Sequence, residues 1–336
     1  MSPGLVVAVG LAFAFAVTNG LLDAAGAVAP LVVTHAATPL RAIVLASAFN
    51  LLGPLLIGAA VAHTIGGIVS VKPAVADHVI AAGLAAAVMW NALALSRAVP
   101  SSSGLALVGG LCGAALAQGG LHAVNWGGLQ GLRPVGVFGT LISLAISPLL
   151  GALVALVVIR ALRRLGHRAT RSWRTQISGG QWVTAAALAF SHGANDAQKS
   201  VGVIAAVLFA SGEISTRSAP TWVTLACAAA LTAGTALGGW QIIRTVGRRI
   251  YRIQPLEGLA CTAASVAVIF GASLAGAPTS TPQVLASAVV GVGGGRWRWR
   301  HVHWEIVRRI GIAWLITLPT TAALAAVVFE LTRWLT

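Results

Sequence analysis

Long apolar runs, parted by short polar or basic interruptions, recur along this chain from end to end. Ten of them approach the ~20 residues that a helix needs to cross a bilayer: 4–33, 41–62, 76–97, 104–123, 135–159, 181–209, 220–243, 256–274, 279–295 and 311–331. Each predicts a membrane helix, and 104–123 and 279–295 also suit re-entrant hairpins. Segments 4–33 and 181–209 are longer than one crossing and turn polar midway, at TNGLLDAAGAVA (Thr18–Ala29) and HGANDAQKSVGV (His192–Val203). That predicts a break beside Gly20 and another beside Gly193, tolerable only where the freed backbone lines a polar cavity. Asn195 or Asp196 would cap the helix that restarts.

Ten segments divide into five and five. Because five is odd, the second set enters the membrane in the opposite sense. A second motif recurs in the same order: a proline followed by hydroxyls, in AVPSSSGLALVGG (Ala98–Gly110) and GAPTSTPQVLASAVVG (Gly276–Gly291). Proline in a first turn beside Ser or Thr is a helix-start signal. Interrupted segments at matching places in two halves point to a transporter site near the midplane. The predicted fold is an all-α polytopic membrane protein of two inverted repeats of about five spanning segments each, with broken helices at the midplane and 104–123 and 279–295 as either spans or re-entrant hairpins. The repeats are 1–159 and 181–336, joined by a basic linker at 160–180.

Composition supports lipid as the solvent. Of 336 residues, 57% are hydrophobic and 9% charged, with a mean hydropathy of +0.87; soluble domains carry about a quarter charged residues. Lys and Arg number 22 against 7 acids, a net charge of +15. These charges lie in short blocks between apolar runs, chiefly Arg160–Arg174, Arg244–Arg252 and Arg296–Arg309. That is the positive-inside pattern and not the basic face of a nucleic-acid binder. The blocks are expected in the cytoplasm, with Arg41 and Arg97, which leaves both termini outside. Anionic lipid is the expected contact of the first block. His301 and His303, beside Trp297, Trp299 and Trp304, mark a headgroup zone. Cys112, Cys227 and Cys261 stand isolated in apolar runs and read as small buried hydrophobes. The N-terminal run lacks a basic leader region and reads as a first span.

The candidate chemistry sits in the interruptions. Four helix starts brought together by inverted symmetry would aim free amides and positive dipole ends at one point, which suits an oxyanion. Hydroxyls of Ser101, Ser102, Ser103, Thr279, Ser280 and Thr281 would complete its hydrogen bonds. Asp23 and Asp196 are intramembrane acids, functional by default, and read as seats for a coupled cation: a proton, a sodium ion or a divalent metal. Lys199 is one of two lysines in the chain, with Lys72, so its place inside a span is not background usage. Plainer roles compete: caps for the aspartates, neutralisation of Asp196 for Lys199, backbone satisfaction for the hydroxyls. His192 reads first as a hydrogen-bonded packing residue and second as a proton relay. The remaining histidines show no metal-ligand spacing. No nucleophile–base pair is visible, so the chain is not read as an enzyme, an intramembrane phospholipid enzyme being the remote alternative.

HGANDAQKSVG resembles the GAND signature of the inorganic phosphate transporter (PiT) family, and NGLLDAAGAVA resembles its degenerate first copy. WNALALSRAVPSSSGLALVGGLCGA, LISLAISPLLGAL, GAPTSTPQV and WEIVRRIGIAWLITLP extend the likeness over nearly the whole chain. The resemblance implies a secondary transporter in a bacterial plasma membrane. It would move inorganic phosphate with a proton or sodium gradient, sometimes as a neutral metal–phosphate complex. The implied site is Asn19 and Asp23 in the first copy, Asn195, Asp196, Gln198 and Lys199 in the second, and both hydroxyl clusters. Asp23 and Asp196 would seat the coupling cation. No cofactor or resident metal is implied. The partners are phosphate, a coupling cation and lipid, with a homodimer as the candidate assembly and no nucleic acid. The chain departs from the family pattern at Leu22, Gly26, Gly104 and Pro282, which removes ligands mainly from the first half. Sodium, which wants several oxygens, is the cation most weakened, so protons are favoured. Sulfate or another tetrahedral oxyanion is the alternative cargo.

Overall fold

The structure, a computed structural model, describes residues 2–97, 101–131, 133–165, 172–238, 250–251, 253–295 and 301–333. Pro100, residues 166–171, 244–249, 252 and 296–300 of the basic blocks, and with them Trp297 and Trp299, lie outside the described residues.

Among the described residues the chain is almost wholly helical. The helices are α1 (Pro3–Val33), α2 (Pro39–Leu56), α3 (Ala60–Gly66), α4 (Pro73–Ser96), α5 (Ser103–Gly119), α6 (Gly136–Leu165), α7 (Ser172–Ala210), α8 (Thr221–Leu237), α9 (Pro255–Leu274), α10 (Thr281–Gly294) and α11 (Trp304–Arg333). A short antiparallel pair, β1 (Gly128–Gln130) and β2 (Arg133–Val135), precedes α6. Proline opens α1, α2, α4 and α9, where its missing N–H leaves no bond unmade. Seven of the helical segments are long and apolar enough to cross a membrane. Large apolar side chains face outward, such as Leu149 (70% exposed) and Leu315 (78%), while Asp23, Asp196 and Lys199 are fully buried. That inside-out pattern belongs in lipid.

All ten predicted segments fall on helices, but the breaks lie elsewhere than expected. The helices α1 and α7 run without interruption, and neither Asn195 nor Asp196 caps a restarting helix. Gly20 and Gly193 serve close packing instead. A Cβ on Gly193 would lie 2.2 Å from the Asn50 carbonyl of α2, and one on Gly20 2.2 Å from the Leu231 carbonyl of α8. The real breaks are at 57–59, between α2 and α3, and at the hydroxyl clusters. Ser102 and Ser280 are the N-caps of α5 and α10, so the helix-start reading of those clusters holds.

Segments 104–123 and 279–295 are returning limbs of hairpins. Backbone bonds from Ser70 N to the Ala123 carbonyl and from Asn125 N to the Ile68 carbonyl (both 2.9 Å) tie the end of the α5 limb beside the start of α4. Gly293, near the end of α10, lies against Tyr251 and Val302, just before α9 and α11 begin. The tip of the first hairpin meets α1 at Asp23, ten residues or about 15 Å short of that helix's end. Arg97, expected in a cytoplasmic loop, is therefore the C-cap of α4 at a hairpin tip. A hairpin returns to its own face as two crossings would, so the parity is unchanged and the termini share a face. Ser2 and Thr332 line one cavity with Asp77 at the start of α4.

The packing repeats under exchange of the halves. Contacts of α1 with α8, α1 with α4, α5 with α11 and α4 with α11 recur as α7 with α2, α7 with α9, α10 with α6 and α9 with α6. The two self-paired contacts, α1 with α7 and α2 with α8, mark the dyad. Two apolar cores result. One holds Leu5–Phe15 of α1 and Val201–Leu208 of α7; the other holds Leu22–Leu31 of α1 and Ala185–Ala189 of α7. Between the cores, where α1 and α7 cross, lies a buried polar layer.

Candidate functional site

On α1, Asn19 and Asp23 are one turn apart and face the start of α5. The Ser103 hydroxyl donates to Asp23 Oδ2 at 2.7 Å and lies 2.9 Å from Asn19 Oδ1. On α7, Asp196 occupies the mirrored place, with Thr281 of α10 as the mate of Ser103: its hydroxyl donates to Asp196 Oδ2 at 3.4 Å. The Lys199 ammonium, one turn on, pairs closely with Asp196 Oδ1 and donates to the Thr279 carbonyl at 2.7 Å. It also reaches the first half: a Cβ on Gly104 would lie 3.5 Å from Lys199 Nζ. A buried unpaired ammonium is costly, and here two oxygens and a small neighbour accommodate it.

His192 completes the second half. Thr235 gives its proton to the Leu231 carbonyl (3.0 Å), so its oxygen accepts from Asn50 Nδ2 (2.9 Å). Asn50 therefore presents its carbonyl oxygen to His192 Nδ1 at 2.9 Å, and Nδ1 carries a proton. The other ring nitrogen, Nε2, lies 2.9 Å from Asp196 Oδ2.

The two halves meet. Ligand atoms of Asp23, His192 and Asp196 all lie within 4.8 Å of one another, and all three residues are buried. Carboxylates this close repel unless positive charge stands between them. Among the described residues, Asp23 Oδ1, Asn19 Nδ2, Thr279 Oγ1 and Ser280 Oγ have no hydrogen-bond partner. Buried polar atoms are normally satisfied, so a cluster of unsatisfied ones around two helix starts reads as a solute-binding surface.

Other predicted residues are engaged differently. Asn195 ties down the second hairpin, donating to Ser273 Oγ and the Ala277 carbonyl and accepting from Thr279 N, at 3.0–3.1 Å. Gln198 holds the break before α3: its Oε1 accepts from Val61 N (2.9 Å) and Ala62 N (3.3 Å), and its Nε2 donates to the Gly58 carbonyl (2.7 Å). Ser101 accepts from the Trp90 indole (2.8 Å) and lies 3.2 Å from Thr317 Oγ1. Ser102 accepts from Leu105 N as a cap. Sequence reasoning missed Asn50 and Thr235 and gave His192 first to packing. The available signal was a lone Asn within an otherwise apolar run, FNLLGP.

The chain as a whole is similar to known proteins. The family model described as "Phosphate transporter family" matches residues 19–178 and 166–325, which between them cover both halves. The chain belongs to the phosphate transporter family. Its members are transporters and not enzymes. A probable low-affinity inorganic phosphate transporter of Bacillus subtilis (strain 168) is 37% identical over 329 residues, 97% of this chain and 95% of the relative. Its counterpart in Rhizobium meliloti (strain 1021) is 35% identical over 333 residues, 97% and 96% of the two chains. A solved structure titled "The sodium-dependent phosphate transporter" superposes with a TM-score of 0.87 at 25% identity, covering 100% of both chains.

Proposed function

We propose that this phosphate-family protein is a secondary symporter carrying inorganic phosphate across a bacterial plasma membrane, coupled to protons. The observation that carries the reading is the meeting of Asp23, His192 and Asp196 beside unsatisfied donors of Asn19, Thr279 and Ser280. Amides at the starts of α5 and α10 and these donors suit the oxyanion; the carboxylates suit its cation. The relatives' names supply phosphate as the cargo in preference to sulfate.

The choice of proton rests on Lys199. A carboxylate and a backbone carbonyl, Asp196 and Thr279, are oxygen ligands a sodium ion would use, and Lys199 already places a positive charge between them. The mobile charge is then left to Asp23 and the His192–Asp196 contact, which suits a proton. On this reading 1–159 and 181–336 are mirror units, joined by 160–180 in the cytoplasm, with the termini outside.

A second reading is favoured by the same trio. Two carboxylates and an imidazole are donors for a divalent metal, so phosphate would enter as a neutral metal complex. The test is uptake of labelled phosphate and sulfate into proteoliposomes, with pH gradient, sodium and magnesium varied separately. Phosphate uptake driven by a pH gradient without sodium or metal is expected. An absolute sodium requirement would refute proton coupling, and a metal requirement would select the complex as cargo.

A further inference from the structure

A second polar cavity, of about 390 Å3, opens on the face that bears the termini. It is lined by His63 and Thr64 of α3, Asn125, Gln130 and Arg133 of the β-hairpin region, and Gly276 at the tip of the second hairpin. Among the described residues no carboxylate lines it and Arg133 makes no ion pair. The wall is a built one. Gln130 and Arg133 are directly paired across β1 and β2, and Asn125 Nδ2 donates to the Gly67 carbonyl at 2.9 Å, fastening this region to the end of α3.

The floor of the cavity adjoins the polar layer. Thr64 donates to the Gly276 carbonyl at 2.8 Å, joining α3 to the hairpin tip. One residue further on, Ala277 is held by Asn195, and Thr279 by both Asn195 and Lys199. The segment 276–279 therefore separates a cationic, hydrogen-bonding chamber from Asp196. The opening of α3 is itself gripped by Gln198, between Asp196 and Lys199 in the chain and the ion pair.

We propose that this cavity is a receiving site for the phosphate oxyanion, with Arg133 as its anchoring cation and the Thr64–Gly276 contact as the closure between it and the buried site. The proposal rests on the phosphate-transport reading. An arginine offers paired donors that match phosphate, and an acid-free recess concentrates anions. The recognised chemistry is that of phosphate oxygens, whether on the free ion or on a lipid headgroup.

Two measurements test it. In proteoliposomes that take up phosphate, Arg133→Ala should raise KM about tenfold, equivalent to one charge-assisted contact, with kcat unchanged; Arg133→Lys should recover most of it. Gln130→Cys places a thiol on the rim, against a background of three buried cysteines. Inorganic phosphate should slow its modification in otherwise wild-type protein and fail to do so with Arg133→Ala added, in liposomes with or without anionic lipid. An unchanged KM, or absence of protection by free phosphate, overturns the proposal; protection by anionic lipid alone assigns the cavity to lipid and overturns it too. Wild-type protein that transports no phosphate refutes the functional reading instead, while the thiol assay still reports on the cavity.

Discussion

The two halves share one scaffold and differ in how they treat the carboxylate at its centre. Asp23 is met by Ser103 alone, its other oxygen unpartnered among the described residues, with Leu22 before it and Gly26 one turn on. Asp196 sits in a network: Lys199 and Thr281 hold it, His192 abuts it, and Asn195 beside it fastens the hairpin tip. The exchange is mutual. Lys199 reaches toward Gly104 of the first hairpin, and Gly26 lies beside Pro282 of the second. A long side chain meets a small residue, and a small residue meets a bulky one. Inverted symmetry thus supplies two equivalent seats, and the sequence fills one with a tethered ammonium while leaving the other open. On the proposed reading the second half anchors and the first half changes state.

Removing each carboxylate in turn is the strongest way to break this contrast. Asp196→Asn strands the Lys199 ammonium in an apolar interior, a loss that costs about 3–5 kcal/mol for a buried pair. Folded yield and Tm should fall together with transport. Asp23→Asn removes a carboxylate that has no ion-pair partner within 4.0 Å among the described residues, so the fold should stand while driven uptake drops at least about 100-fold. Thermal unfolding and labelled-phosphate flux on the two variants decide it. Equal stability losses would mean that the halves are not specialised.

Lys199→Ala empties the filled seat. Phosphate KM should rise about tenfold, and the variant should gain what the wild type lacks: a Tm that climbs with sodium but not with choline, since an ion that binds only the folded state stabilises it. Wild-type and variant melts that are equally indifferent to sodium would remove the tethered-cation account. His192→Gln should matter less. Uptake is expected to fall several-fold while Tm holds, because the contact with Asp196 is lost from the site. A drop in Tm that matches the drop in rate would return His192 to packing.

Much of this fold was legible before any coordinates. Apolar length gave ten helical segments, and the order of two motifs gave the inverted halves, because both follow from bilayer thickness and backbone satisfaction. The breaks at Gly20 and Gly193 were misplaced for a definite reason. Glycine beside polar residues in a span signals either an unwound backbone or a close helix crossing, and only the neighbouring helix decides between them. Here Asn50 and Leu231 lie where a Cβ would stand. The partners of His192 are hidden for a similar reason, since its contact with Asn50 and that of Asn50 with Thr235 join residues 142 and 185 positions apart. Local pattern carries no record of such partners.

Gln198 offers the smallest and most discriminating test of the comparison. Resemblance puts it among the ligands of the oxyanion, yet all its polar reach is spent on Gly58, Val61 and Ala62 at the break before α3. Ala25 takes the equivalent place in the first-half motif. Gln198→Ala removes a cap-like acceptor and a donor, a loss of about 1–2 kcal/mol. If the residue acts through α3, the maximal rate should fall two- to fivefold while phosphate KM stays put, because no substrate contact is lost. If it is a ligand, KM should rise about tenfold with little change in stability. Those signatures differ, so one set of uptake curves with a melting curve is enough to say whether Gln198 belongs to the site or to the break before α3.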